Sequence, residues 1–335
     1  MSSTKRCVAA VLFAALAACS APMTPADDAA ALDASAVDAL PDAQPDGNAS
    51  APDAAADAAA DARAEAGCGL CAEYGPIDGQ GRWRTTVLRE VSGLAASAAH
   101  PGIFWAHNDS GDSARLFAVR ASGEVVGEYA IDGAGAVDWE DIAVGPCADG
   151  GGSCVVIGDV GDNPSSRASV DIYRVREPAT LESSGNLQST RFRVRYPMGA
   201  MNCEAMVVDR RDGASAMLIE KADRSSLRLV RVDLTGVGGE QMGEELGTVP
   251  SFGNLVTAAD AHPCAPALIV RTYATAWEMR GAPGDSLAQI ARAPRVERQT
   301  AAEVQGEAIA YLSDGRGYLT ATEGVSSLIT AVFCR

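Results

Sequence analysis

Short apolar runs recur along the chain after residue 90, each ended by Gly, Pro, Asn or Asp. Five of them resemble one another: VSGLAAS at 91–97, WEDIAVG at 139–145, CEAMVVD at 203–209, VTAADAH at 256–262 and GEAIAYL at 306–312. Taking Leu94, Ile142, Met206, Ala259 and Ile309 as equivalent, the intervals are 48, 64, 53 and 50 residues. Small residues crowd these positions, as strands packed around a common axis require. A period near 50 marks a repeat architecture.

Each run is followed by further strand-like segments. The first set falls at 103–108, 154–159, 216–221, 268–273 and 317–322, and the second at 115–120, 170–176, 227–233, 275–280 and 327–333. A more polar segment follows in most units, at 124–131, 190–196, 241–249 and 288–299. No long amphipathic helix is evident. Four short strands per repeat predict an all-β chain, a β-propeller of four-stranded blades. The spacing favours five blades, with six as the alternative if the 64-residue interval conceals a split blade. After Ile309 there are 26 residues, and another 26 separate Cys68 from Leu94. Together they make one period, so the N-terminal segment WRTTVLRE at 83–90 is expected to supply the outer strand of the last blade. That closure leaves few exposed edges. It also brings Cys334 within reach of Cys68 or Cys71.

The repeat gives meaning to the oxygen-rich turn HNDSGDS at 107–113, which has more polar groups than a turn needs. The equivalent turn of the second unit is GDVGDN at 158–163, so the pair reads [N/G]-D-x-G-D-[S/N]. Later units carry Lys221, Arg271 and Glu323 there. Two residues before each aligned apolar position stand Ser92, Glu140, Glu204, Thr257 and Glu307, with Asp138, Asp141 and Asp260 nearby. In a propeller both places open on one face, so the acids form a ring. Converging carboxylates repel at low dielectric. A hard cation such as Ca²⁺, which takes six to eight oxygen ligands, relieves this. The candidate metal ligands are Asp109, Asp112, Asp159, Asp162, Glu140, Glu204 and Glu307. Asn108, Asn163, Lys221 and Arg271 are candidates for contacting a ligand. Any single Asp/Asn/Gly turn is explained by self-capping; the recurrence with the Glu positions is what implies an ion. His107, Trp105 and Trp139 read as packing residues.

The first 18 residues pair Lys5 and Arg6 with an apolar run too short to span a bilayer. The following Leu16-Ala17-Ala18-Cys19 resembles a bacterial lipoprotein signal. The resemblance implies cleavage before Cys19 and lipidation of Cys19, and Ser20 behind it favours the outer membrane over retention. The expected destination is the cell envelope, with the membrane reached through this lipid. Residues 20–66 hold 20 Ala, ten acidic residues and five Pro, a composition that cannot offset its own ordering entropy. They read as a tether, leaving 67–335 as the propeller domain. The net charge is −17, which disfavours nucleic acid as a partner. Seven further cysteines fit an oxidising compartment. Cys147 and Cys154 flank a Gly-rich hairpin and are expected to pair locally. The odd number leaves at least one thiol.

The segments HNDSGDSARLFAV, DWEDIAVGP, GDVGDN, CEAMVVD, VRTYATAWEM and GEAIAY resemble a group of exported bacterial propeller proteins. More distantly they resemble calcium-dependent β-propeller phytases and esterase-like propellers. The phytase resemblance implies calcium ions on one face that bridge substrate phosphates, with Lys221 and Arg271 where cations would help. No G-x-S-x-G nucleophile turn, P-loop, dinucleotide turn or zinc-ligand set is present. Nothing names a nucleophile or a general acid. The expected function is therefore a non-catalytic, monomeric, lipid-anchored module. It binds calcium and an unidentified ligand or partner on its acidic face. A calcium-dependent phosphoesterase and a purely structural surface protein are the alternatives.

Overall fold

The computed structural model describes residues 67–303 and 305–335. The expected signal 1–18, Cys19 and the tether 20–66 lie outside the described residues. The first strand, β1 (Tyr74–Arg82), is followed by a meander of β2 (Val91–Ala96), β3 (Ile103–Asn108), β4 (Arg115–Arg120) and β5 (Val125–Asp132). A second meander holds β6 (Trp139–Pro146), β7 (Ser153–Asp159), β8 (Val170–Arg176) and β9 (Ser184–Arg195). The third is β10 (Cys203–Val208), β11 (Ser215–Glu220), β12 (Ser226–Asp233) and β14 (Glu244–Pro250), with β13 (Gly239–Met242) lying against β9. The fourth is β15 (Val256–Ala261), β16 (Ala267–Thr272), β17 (Ala276–Arg280) and β18 (Arg295–Arg298), with the short helix α1 (Leu287–Ala291) before β18. The last sheet runs β1–β21–β20–β19, where β19 is Gly306–Tyr311, β20 Gly317–Thr322 and β21 Leu328–Cys334.

The first strand of each meander is the innermost. β2 packs beside β6, β6 beside β10, β10 beside β15, β15 beside β19, and β19 beside β2. The ring explains the residue choice. Strands β2, β10, β15 and β19 are buried along their whole length. Both faces of such a strand must be apolar or small, so alternation is lost. The architecture is all-β and propeller-like.

Three details differ from the sequence expectation. The closing strand is β1, paired antiparallel to β21 over 74–82, and not 83–90. Trp83 and Leu88 from that segment are buried between the first and last sheets, with Leu94, Phe104, Leu319 and Ile329. They fill space between sheets, so their segment serves as a plug and the Gly-rich stretch before it becomes the edge strand. Part of the expected strand at 288–299 is α1. Ser286 and Gln289 form a reciprocal capping box there, which satisfies free amides at the helix start. The 64-residue interval is filled by a lengthened β9. Its first half pairs parallel to β5 and its second half antiparallel to β8.

The core carries a buried acid. Asp141 Oδ2 accepts the amides of Met206 (2.8 Å) and Ala259 (2.9 Å), and Oδ1 accepts that of Ile142. One side chain of the second meander thus ties the third and fourth. Trp105 and Trp139 pack with Tyr129 and Tyr173 between the first and second meanders. His107 is buried and donates from Nδ1 to the Asn108 carbonyl at 2.9 Å. Burial pushes its pKa down to about 4, so it stays neutral.

Disulfides join the ends. Cys71 pairs with Cys334, Cys68 with Cys264, and Cys147 with Cys154, while Cys203 is a buried thiol. Cys71–Cys334 bridges a separation of 263 residues and fastens β1 to β21. Cross-links over long loops restrict the unfolded chain. The Cys71→Ser/Cys334→Ser variant is expected to lose about 3 kcal/mol in urea unfolding. A loss below about 0.5 kcal/mol would show that β1 needs no such fastening. Among the described residues no helix is long and apolar enough to cross a membrane.

Candidate functional site

The pairing of each innermost strand with its neighbour slips once, near its beginning. The shifts lie between Val91 and Gly93, Trp139 and Asp141, Cys203 and Ala205, Val256 and Ala258, and Gly306 and Ala308. The residue stepped over is in turn Ser92, Glu140, Glu204, Thr257 and Glu307. A bulge re-aims the side chain it carries. All five are buried. The two hydroxyls are used within the ring: Ser92 Oγ donates to the Glu140 carbonyl, and Thr257 Oγ1 to the Gly306 carbonyl. Glu204 pairs with the Lys221 ammonium. Glu307 is 5% exposed and has no hydrogen-bond donor among the described residues.

Asp109, from the turn after β3, and Asp138, from the segment before β6, join Glu140. One carboxylate oxygen from each lies within 4.8 Å of the others. Gly161 leaves the room. A Cβ there would stand 2.3 Å from Glu140 Oε1 and 2.4 Å from Asp138 Oδ2. The group continues electrostatically: the Glu204 charge acts on Glu140 and on Glu307, and that of Asp109 on Glu307 and Glu323. Lys221 reaches into it, hydrogen bonded to Tyr273 at 2.6 Å and lying over that ring.

The other predicted ligands are engaged by hydrogen bonds and ion pairs of the surrounding fold. Asp159 is fully buried, paired with Arg167 at 2.9 Å, and accepts the amides of Val137 and Asp138. It holds the backbone that presents Asp138. Asp162 accepts the amides of Ser166 and Arg167. Asp112 is held by Arg115 and by Asn108 Nδ2. Asn108 Oδ1 accepts the amides of Arg89 and Glu90, and Asn163 accepts from Asn202. Arg271 is fully buried and ion-paired with Glu303. Its guanidinium fills the space that a Cβ at Gly306 would occupy. Sequence spacing thus brought Asp109, Glu140, Glu204, Glu307 and Lys221 together. In the sequence Asp138 stands only as a neighbour of the recurring Glu positions. Its signal is its place two residues before a bulge, on the same side of an extended segment. Tyr273 gave no signal.

Burial first, then mutual repulsion, raises the carboxyls. Glu140 and Glu204 are both pushed up, Glu204 less because Lys221 opposes the shift. Burial and Asp109 push Asp138 up to about 6, and burial and Glu204 push Glu307 up to about 8. Burial works against the Lys221 ammonium, yet Glu204 and Tyr273 outweigh it and its pKa is raised. Acids with raised pKa hold protons more tightly folded than unfolded, where they titrate near about 4. Their contribution to stability is full below that pH and is lost as pH rises through about 6 and then about 8. Asp209, held below the usual range by Arg211, acts only at lower pH. Thermal melts in chelator are expected to show a falling midpoint between about pH 6.5 and pH 8.5, above the range where buried His107 acts in the opposite sense. A flat or rising profile would mean the carboxyls do not share one buried space.

No family model matches the chain, and no curated protein matches it. A similar solved structure is the PQQ-bound form of aldose sugar dehydrogenase from Streptomyces coelicolor. It shares 10% identity over 79% of this chain and 99% of that one, with a TM-score of 0.45. A likeness of that degree carries no argument about chemistry.

Proposed function

We propose that the chain is a five-bladed β-propeller that binds a divalent cation, calcium, at one mouth of its central ring. Asp109, Asp138 and Glu140 supply the ligands, and the acidic face around them presents the ion to a ligand or partner. The observation that carries this reading is the excess of buried negative charge. Glu140 and Glu307 are 4% and 5% exposed, two Asp carboxylates crowd the first, and Lys221 offsets one charge. An oxygen-only set suits a hard cation. When bound, the ion would supply positive charge and open coordination positions. The chain's residues hold the donors in place: Asp159 through the 137–138 backbone, and Asn108 through the 89–90 backbone.

Binding is preferred to phosphoester hydrolysis. Arg271 is committed to Glu303 and Lys221 to Glu204, so neither is a free cation for a phosphate. No group adjoining the cluster stands as an evident nucleophile. Calorimetric titration of the chain with calcium at about pH 8 is expected to show saturable binding with proton release, because raised carboxyls must ionise to bind. Asp138→Asn is expected to weaken it about tenfold. Absence of binding, or binding indifferent to Asp138→Asn, would overturn the reading. Calcium-dependent turnover of a simple aryl phosphate would favour the phosphoesterase instead. We further propose that Cys19 carries a lipid holding the propeller at the cell envelope. Loss of membrane fractionation in Cys19→Ser is the expected result.

A further inference from the structure

We infer that a cavity on the side of the ring away from the bulges is a second binding site, which takes a small zwitterion with an apolar body, such as a free α-amino acid. The inference is independent of the cation-site reading above. The cavity lies between the third and fourth meanders, at the ends of β10 and β15 remote from their bulges. Its volume is about 330 Å³, at the small end of ligand pockets. Pro263, Pro266, Leu287 and Ile290 give it apolar walls. Its rim is fixed in advance. His262 Nδ1 accepts the amides of Cys264 (3.3 Å) and Ala265 (3.1 Å), and Nε2 donates to the Gly315 carbonyl at 3.1 Å. The Cys68–Cys264 disulfide ties the same turn to the segment before β1.

Two charged residues of the lining have capacity left over. Arg210, from the turn after β10, donates from Nη2 to Asp260 Oδ1 at 2.8 Å. Asp260 is buried and also accepts the amides of Ala261 and Tyr311, so the guanidinium is anchored. Arg210 Nε is buried and has no partner among the described residues. An unmet donor is costly, and a carboxylate against the guanidinium would meet N–H groups that Asp260 leaves over. Asp285, from the loop before α1, is the complement. Its Oδ2 accepts the Ala282 amide at 2.7 Å, and no cation among the described residues pairs with it. The rest of the lining is locally neutral. Arg211 is bound to Asp209 through two N–H groups, and both nitrogens of His262 are in use. A partly used guanidinium and an unpaired carboxylate in one cavity match a molecule that carries both a carboxylate and an ammonium. A simple anion would leave Asp285 unpaired, and a simple cation would leave the Arg210 donor unmet.

The test is calorimetric titration of the full chain in chelator, so that no ion at the acidic mouth takes part. The probes are L-leucine, N-acetyl-L-leucine, which lacks the ammonium, and L-leucinamide, which lacks the carboxylate. The expected result is saturable binding of leucine, with each analogue about tenfold weaker or more. Asp285→Asn is expected to weaken leucine about tenfold and to leave N-acetylleucine unchanged. Arg210→Gln/Asp260→Asn, which removes both charges of the buried pair together, is expected to weaken leucine and to leave leucinamide unchanged. If that double variant does not fold, Asp285→Asn, at a partly exposed position, still decides. No saturation by leucine at millimolar concentration, equal binding of the three probes, or leucine binding indifferent to Asp285→Asn would overturn the inference. Each of these outcomes leaves the calcium titration, and with it the cation site, untouched.

Discussion

Gly161→Ala is expected to weaken calcium binding about 100-fold, about 2.7 kcal/mol, while leaving the metal-free fold almost unchanged. The new methyl would fall 2.3 Å from Glu140 Oε1 and 2.4 Å from Asp138 Oδ2. Neither distance is tolerable, so both carboxylates must withdraw from the position they share with Asp109. The backbone at Gly161 is not among the positive-φ glycines, so alanine costs little there beyond the displaced side chains. Metal sites depend on donors held in place, and this substitution moves two at once. Calorimetric affinity and a chelator melt together separate site from fold. Affinity within twofold of native would show that Glu140 and Asp138 are not ligands. A large loss of metal-free stability would show that Gly161 serves the backbone.

Asp141→Ala is expected to cost about 4 kcal/mol, lowering the melting midpoint by about 10 °C. The carboxylate accepts three amides, from Ile142, Met206 and Ala259. Alanine leaves them buried without acceptors, at about 1–3 kcal/mol each before relaxation. Asp141→Asn keeps one acceptor oxygen and should fall between. Since Asp141 lies next to Glu140 but bonds across the ring, its loss should change stability without changing calcium stoichiometry. A cost below about 1 kcal/mol would mean the inner strands hold their spacing without this tie.

Much of the fold was legible because the inner strands are constrained twice. Segments such as GEAIAY and CEAMVV must be small or apolar on both faces, and they recur at one period. Edge elements face no such demand. β1, with the sequence YGPIDGQGR, shows no alternation because most of it is exposed. Its apolar neighbours Trp83 and Leu88 drew attention to the wrong segment. The helix α1 was hidden because a five-residue element is set by its Ser286 cap and not by periodicity.

For the candidate site, the repeat alignment placed Glu140, Glu204 and Glu307 at equivalent positions, and all three occupy the same bulge. It could not separate Asp109 from Asp112, Asp159 and Asp162. Composition does not tell which way a turn carboxylate points. Arg115 and Arg167, three and eight residues along, decide that Asp112 and Asp159 are neutralised within their own turns. Lys221 and Arg271 occupy equivalent turns, but Gly306 opens an interior space that takes Arg271 away from the mouth.

Crystals grown with calcium give a direct answer through anomalous scattering. The expected result is one peak about 2.3–2.6 Å from oxygens of Asp109, Asp138 and Glu140, with Lys221 still on Glu204. A map with no peak there, and those three carboxylates turned apart toward solvent, would contradict the cation site.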